Sequence, residues 1–174
     1  ELFGEHHAYG LAFASFVGDN LGIPPVEQVK RLSSFRTLPG RGNFFTSEKG
    51  FLIIDETYNA NPVSMSAALR ALAALPFSTN KCAVLGGMGE LGEESPQWHR
   101  FMASSFQGLD HVLLIGKSWE TVFRDELPAN CHIAGFDDLE GFFRSRLSPG
   151  DLVLFQGSRS FHMEKAVKIL ENLR

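Results

Sequence analysis

Cysteine is scarce: 174 residues contain only Cys82 and Cys131, each inside an apolar stretch and neither in a C-x-x-C pair. That spacing argues against a disulfide framework or a thiolate metal centre and reads as two buried free thiols. No block of one charge sign is present either. Sixteen Lys and Arg stand against twenty Asp and Glu, net −4, with the basic residues scattered. A chain of this kind lacks the electrostatic footprint of a nucleic-acid binder. The longest apolar runs, "HVLLIG" and "DLVLFQG", fall far short of the roughly 20 residues that a bilayer span needs, and no signal-peptide pattern opens the chain. The expected setting is cytoplasmic, without a membrane span. Metal-ligand spacing is missing as well: His6 and His7 are adjacent rather than i, i+4, and His111, His132 and His162 are isolated. There is no G-x-x-x-x-G-K-[ST] phosphate loop, no G-x-S-x-G elbow and no Cys–His pair with a plausible base. Taken alone, the chain lacks a catalytic engine, so its functional residues are sought among binding groups.

What is present is alternation. Helical spacing runs from His6 to about Asn20, and a second short helix opens at Pro24-Pro25 and runs to about Phe35. "RTLPGRGN", with Pro39, Gly40 and Gly42, is the clearest boundary in the chain. Beyond it, strands are predicted near Asn43–Thr46, Phe51–Asp55, Lys81–Gly86, His111–Gly116, His132–Ala134 and Leu152–Gln156. Helices are predicted near Pro62–Leu75, Pro96–Phe106, Trp119–Arg124, Leu139–Arg146 and Phe161–Leu173. Such alternation predicts an α/β, Rossmann-like, mostly parallel sheet with helices on both faces, in which ligands sit at the carboxyl ends of the strands.

Three loops at those ends carry unusual chemistry: "DETYNANP", "GGMGELGEES" and "QGSRSFHME". The second contains G-x-G-x-x-G at Gly87, Gly89 and Gly92, but no acid ends the following strand to hold a ribose, so a dinucleotide fingerprint is a weak reading. In the third, backbone N–H groups, the Ser158 hydroxyl and the Arg159 guanidinium can converge on an anion, or Ser158 or Ser160 can simply cap the last helix. His99, on the helix after the Gly-rich loop, is either a site residue or a structural histidine. Asn59 or Asn61 is either a ligand group or the cap of the helix that Pro62 starts.

In order along the chain, "LPGRGN", "IIDETYNANPVSMSAAL", "AVLGGMGELGEES" and "GSRSFHME" resemble the C-terminal part of the Mur ligases, in the branch that joins D-alanyl-D-alanine to UDP-N-acetylmuramoyl-tripeptide in peptidoglycan synthesis. The likeness covers nearly the whole chain. It implies that residues 1–37 are the helical tail of a central ATPase domain and residues 38–174 a C-terminal Rossmann-like domain that closes over substrate. It implies ATP and Mg2+ as cofactors, both held mainly by the central domain, an acyl-phosphate intermediate attacked by the dipeptide amine, and a monomer. Since the chain begins at Glu1 inside a helical pattern, it is expected to be a piece of a longer polypeptide, inactive without a P-loop domain. By position, the resemblance implies that Arg41, Asp55, Glu56 and His7 contact the nucleotide and that Tyr58, Asn59, Asn61, Glu90, His99, Ser158 and Arg159 face substrate. The family usually has aspartate where Glu56 and Gly87 stand, lysine at Gln156 and asparagine at His7 and Gly10. Two rival readings stay open: a Mur ligase with another amino-acid or peptide substrate, and a nucleotide-binding module without ligase activity.

Overall fold

The computed structural model describes residues 3–4, 6–76 and 79–173. Helices α1 (His6–Asn20) and α2 (Pro25–Ser33) come first. Then strands β1 (Asn43–Thr46), β2 (Leu52–Glu56), β3 (Lys81–Gly86), β4 (His111–Ile115), β5 (Cys131–Ala134) and β6 (Leu152–Gln156) alternate with α3 (Pro62–Ala74), α4 (Ser95–Phe101), α5 (Lys117–Val122), α6 (Leu139–Arg146) and α7 (Glu164–Glu171). The strands form one sheet in the order β1-β2-β6-β3-β4-β5, all parallel except β1, which pairs antiparallel with β2. The predicted architecture is therefore the observed one, with element ends moved by a few residues. The largest shifts are at α4, whose last turns tighten into a 3-10 helix over Met102–Ser105, and at α7, which starts at Glu164 after a 3-10 turn over Arg159–Phe161.

Period-two alternation along each strand splits the core in two. Ile54, Leu85, Leu114 and Leu154 pack on α3 through Met65, Leu69 and Leu72 and on Met102, Phe106 and Trp119. Ile53, Val84, Leu113 and Phe155 pack on the opposite face against Leu139 and Phe143 of α6 and Met163, Ala166 and Leu170 of α7. Both cysteines are buried free thiols whose pKa values burial raises.

The helical pair α1–α2 differs from this core. Gln28 tucks its amide between Asp19 Oδ1 and the Ile23 carbonyl, 2.8 Å from each, which fixes the two helices together. Their apolar side chains nonetheless face outward: Tyr9 is 81% exposed, Phe13 69% and Leu21 72%. The start of the chain reaches the sheet, where Phe3 is buried in the α3-side core.

Candidate functional site

β6 lies between β2 and β3, so the three loops singled out in the sequence leave adjacent strands at the carboxyl end of the sheet. They form two neighbouring groups rather than one.

The first group is a cleft of about 210 Å³ lined by Gly40, Arg41, Glu56, Tyr58, Asn59, Ala60, Asn61, Ser64 and Gln156. Its floor is set by alternation. Leu52, Ile54 and Glu56 of β2 point to the α3 side, as do their register partners Leu152, Leu154 and Gln156 of β6. Asp55 must then point away from Glu56, and its oxygens are occupied by the chain itself. Oδ2 accepts from the Gly40 N–H at 3.1 Å, while Oδ1 accepts from the Thr57 N–H at 3.1 Å and the Thr57 hydroxyl at 2.6 Å. The expectation of an Asp55–Glu56 pair on one ligand is thus corrected: Asp55 clamps the boundary turn, and Glu56 alone enters the cleft. Two backbone bonds complete the clamp, Gly42 N–H to the Asp55 carbonyl and Tyr58 N–H to the Gly40 carbonyl. Gly40 is required there, because its φ is +75° and a Cβ would lie 2.9 Å from the Tyr58 nitrogen.

Burial, then the Asp55 charge, and against both the Arg41 guanidinium, leave the Glu56 carboxyl titrating at about 7 instead of 4.5. Arg41 is exposed at the cleft mouth with its guanidinium carbon 3.9 Å above the Tyr58 ring, a cation–π contact. His7 is not among the residues lining the cleft but lies close to Glu56: a Cβ on Gly42 would lie 3.0 Å from His7 Nε2 and 3.2 Å from Glu56 Oε1.

Asn61 is the N-cap of α3, as one of the two readings had it. Its Oδ1 accepts from the Ser64 N–H at 2.9 Å while Ser64 Oγ accepts from the Asn61 N–H at 3.1 Å, a capping box with Pro62 at the first helical position. Asn61→Ala is expected to cost about 1 kcal/mol of stability. A melting curve of that variant indistinguishable from wild type would show the box to be idle. Asn59 is exposed on the cleft rim and is the better ligand group of the two.

The second group joins the β3 and β6 loops. The Ser158 N–H donates to the Gly87 carbonyl at 2.9 Å, and Ser158 Oγ shares a hydrogen bond with Ser160 Oγ at 3.0 Å. Neither serine caps α7, whose N-cap is Met163 without a side-chain bond. Arg159 is exposed and reaches Glu164 at 3.7 Å, and Glu90 is exposed in a left-handed backbone conformation, φ 61°. Phe161 fills the space between the loops: a Cβ on Gly87 would lie 2.6 Å from its ring, and one on Gly116 2.4 Å. Gly87, the first glycine of "GMGELG", therefore admits the Phe161 ring, and Gly89 faces Ser158, so neither is open to a pyrophosphate as the dinucleotide reading requires.

His99 is corrected to a positioning residue. It is fully buried, its Nδ1–H donates to the Ser95 carbonyl at 2.7 Å, its Nε2 accepts from the Met88 N–H at 3.1 Å, and its ring packs edge-on against Trp119 at 4.5 Å. Burial lowers its pKa, opposed by the Ser95 bond, so the imidazole stays neutral in the tautomer this network needs. Both nitrogens are thus spent on fixing the Gly-rich loop to α4.

The residue missed as a site candidate is Gln156. It is 1% exposed, lines the cleft, and its Oε1 is buried without a hydrogen-bond partner. A polar residue ending the otherwise apolar strand Leu152–Gln156 was the available signal.

Residues 40–159 match the family described as Mur ligase, glutamate ligase domain. The chain belongs to the Mur ligase family. Among its relatives, the UDP-N-acetylmuramoyl-tripeptide–D-alanyl-D-alanine ligases of Bacillus subtilis and Escherichia coli are 30% and 31% identical over 97% and 98% of this chain. The crystal structure of the MurF ligase from Thermotoga maritima in complex with ADP superposes with a TM-score of 0.81 at 30% identity, over 99% of this chain and 39% of that one. The likeness to that structure therefore extends through the helical pair as well as the sheet. The chain spans 38% of the length of these two curated relatives.

Proposed function

We propose that this Mur ligase chain is the substrate-closing part of an ADP-forming amide-bond ligase that adds D-alanyl-D-alanine to UDP-N-acetylmuramoyl-tripeptide. The observation that carries the reading is the cleft at the carboxyl ends of β2 and β6. It combines a cation at the mouth with two hydrogen-bond acceptors at the floor, complementary to a nucleotide's anionic and hydroxylated parts. The names and 30–31% identity of the relatives support the substrate pair.

In this reading bound ATP with Mg2+ would supply the phosphoryl group that activates the tripeptide carboxylate, with ADP as the leaving group. Arg41 neutralises phosphate charge, and Glu56 accepts from ribose hydroxyls, since a carboxylate can take two neighbouring donors. Tyr58 and Asn59, on the loop clamped to the boundary turn, orient substrate and exclude water from the acyl phosphate. Ser158, Arg159 and Glu90 form the second group, toward the incoming dipeptide. No residue is assigned to Mg2+; among the described residues no three His, Cys, Asp or Glu cluster suitably.

The helical segment 1–37 belongs, in the same proposal, to a central ATPase domain, with residues 38–174 forming the closing domain. The outward apolar faces of α1 and α2 support this, because contiguous exposed apolar surface of this kind is normally covered by a partner.

Arg41→Ala in the ligase joined to its ATP-binding domain tests the reading. It is expected to raise the KM for ATP by about tenfold, with a stability loss of no more than about 1 kcal/mol from the Tyr58 contact. An unchanged ATP dependence in the folded variant would return Arg41 to a solvated boundary residue.

A further inference from the structure

A residue lining the cleft carries an acceptor that the protein does not satisfy. Gln156 Oε1 is buried, lacks a partner, and belongs to a side chain that lines the cleft. An orphaned buried carbonyl costs about 1–3 kcal/mol, so a partner from outside the chain is the economical explanation. Its register partner on the adjacent parallel strand is Glu56. Neighbouring strands are about 4.8 Å apart, so two acceptors stand side by side on one face of the sheet. Such a pair suits a ligand with two donors. An ammonium group would supply donors too, but Arg41 in the same cleft opposes a cation. Two adjacent hydroxyls on a ligand whose charged end is anionic satisfy both constraints.

We propose that Gln156 is a specificity-determining residue of the nucleotide subsite: its Oε1 accepts from one ribose hydroxyl while the Glu56 carboxylate accepts from the other. This rests on the reading of the cleft as a nucleotide site. A lysine at this position would offer donors only and could not accept from a hydroxyl. The glutamine therefore gives this chain a stricter demand for the full ribose diol.

The test is calorimetric binding of ADP, 2′-deoxy-ADP and 3′-deoxy-ADP to the ligase joined to its ATP-binding domain, as wild type, Gln156→Met, Gln156→Lys and Glu56→Met, the methionines removing the acceptor at each position. Each missing hydroxyl is expected to weaken wild-type binding by about tenfold, and in Gln156→Met one of the two penalties falls to about twofold or less while the other persists. Gln156→Lys loses the same penalty, which guards against a folding artefact of either variant. Penalties that both survive in the Gln156 variants, or equal weakening of all three ligands, overturn the proposal and leave Gln156 to a bound water or a packing role. If Glu56→Met also leaves both penalties intact, the nucleotide does not use this cleft, and the underlying reading fails with it.

Discussion

Glu56→Gln is expected to stabilise the protein at pH 8 while weakening its hold on nucleotide. The Glu56 carboxyl titrates at about 7 in the folded chain instead of 4.5, chiefly because it is buried. A raised folded-state pKa means that the folded state binds the proton more tightly than the unfolded state. The stability this group contributes is complete below pH 4.5 and is lost as pH rises through 7. Ionised Glu56 thus costs roughly 2–3 kcal/mol above pH 7, and glutamine, neutral throughout, avoids that cost. At about 2–4 °C per kcal/mol for a chain of this size, the variant's melting temperature should exceed wild type by about 5 °C or more at pH 8. The gain should fade to nothing near pH 4.5. A melting-temperature difference that does not change with pH would show that Glu56 is not held ionised at a penalty. On the proposed reading of the cleft, nucleotide affinity should fall by about tenfold in the same variant.

Gly87→Asp is expected to cost about 2–3 kcal/mol. The backbone at Gly87 has no positive φ, so conformation does not forbid a side chain; space does. A Cβ would lie 2.6 Å and 2.9 Å from Phe161 Cζ and Cε2, and the ring cannot retreat toward Gly116, whose added Cβ would lie 2.4 Å from its other edge. Phe161→Ala alone should also destabilise, by emptying the cradle. The double variant Gly87→Asp with Phe161→Ala should be less damaged than the sum of its parts by about 1–3 kcal/mol, since the clash then has no second partner. Urea denaturation of the four proteins measures this, and strict additivity would mean that the two positions are not in contact in solution.

The fold was legible because alternation of apolar runs and helical spacing is a local signal, and it recovered every strand. Strand order was not, because nothing in Leu152–Gln156 announces that it inserts between β2 and β3. The site was half legible for the same reason. Residue types marked the three loops, but which group faces a ligand depends on partners far along the chain. Asp55 and Glu56 looked equivalent, although period-two alternation already separates them to opposite faces, and the Gly40 N–H that occupies Asp55 is fifteen positions away. His99 looked available because its partner, the Met88 N–H, is a backbone group that no sequence pattern displays. Gln156 was overlooked as a ligand group because its meaning lies in the absence of a partner, visible only once the strand is packed.

The central position of β6 also bears on how the molecule assembles. β2 and β3 do not bond to each other; each bonds to β6, and Leu52 pairs with Leu152, one hundred positions later. A nascent chain that has produced β2, β3, β4 and β5 therefore holds two sheet halves with unpaired edges facing each other, and it must wait for β6 to bridge them. Closing so long a loop is entropically costly and slow, and open strand edges are aggregation-prone meanwhile. Because Gln156 ends that last strand and stands beside Glu56, the cleft floor cannot exist in any partly folded form. Ligand-binding competence should then appear in refolding only with the final, slowest phase.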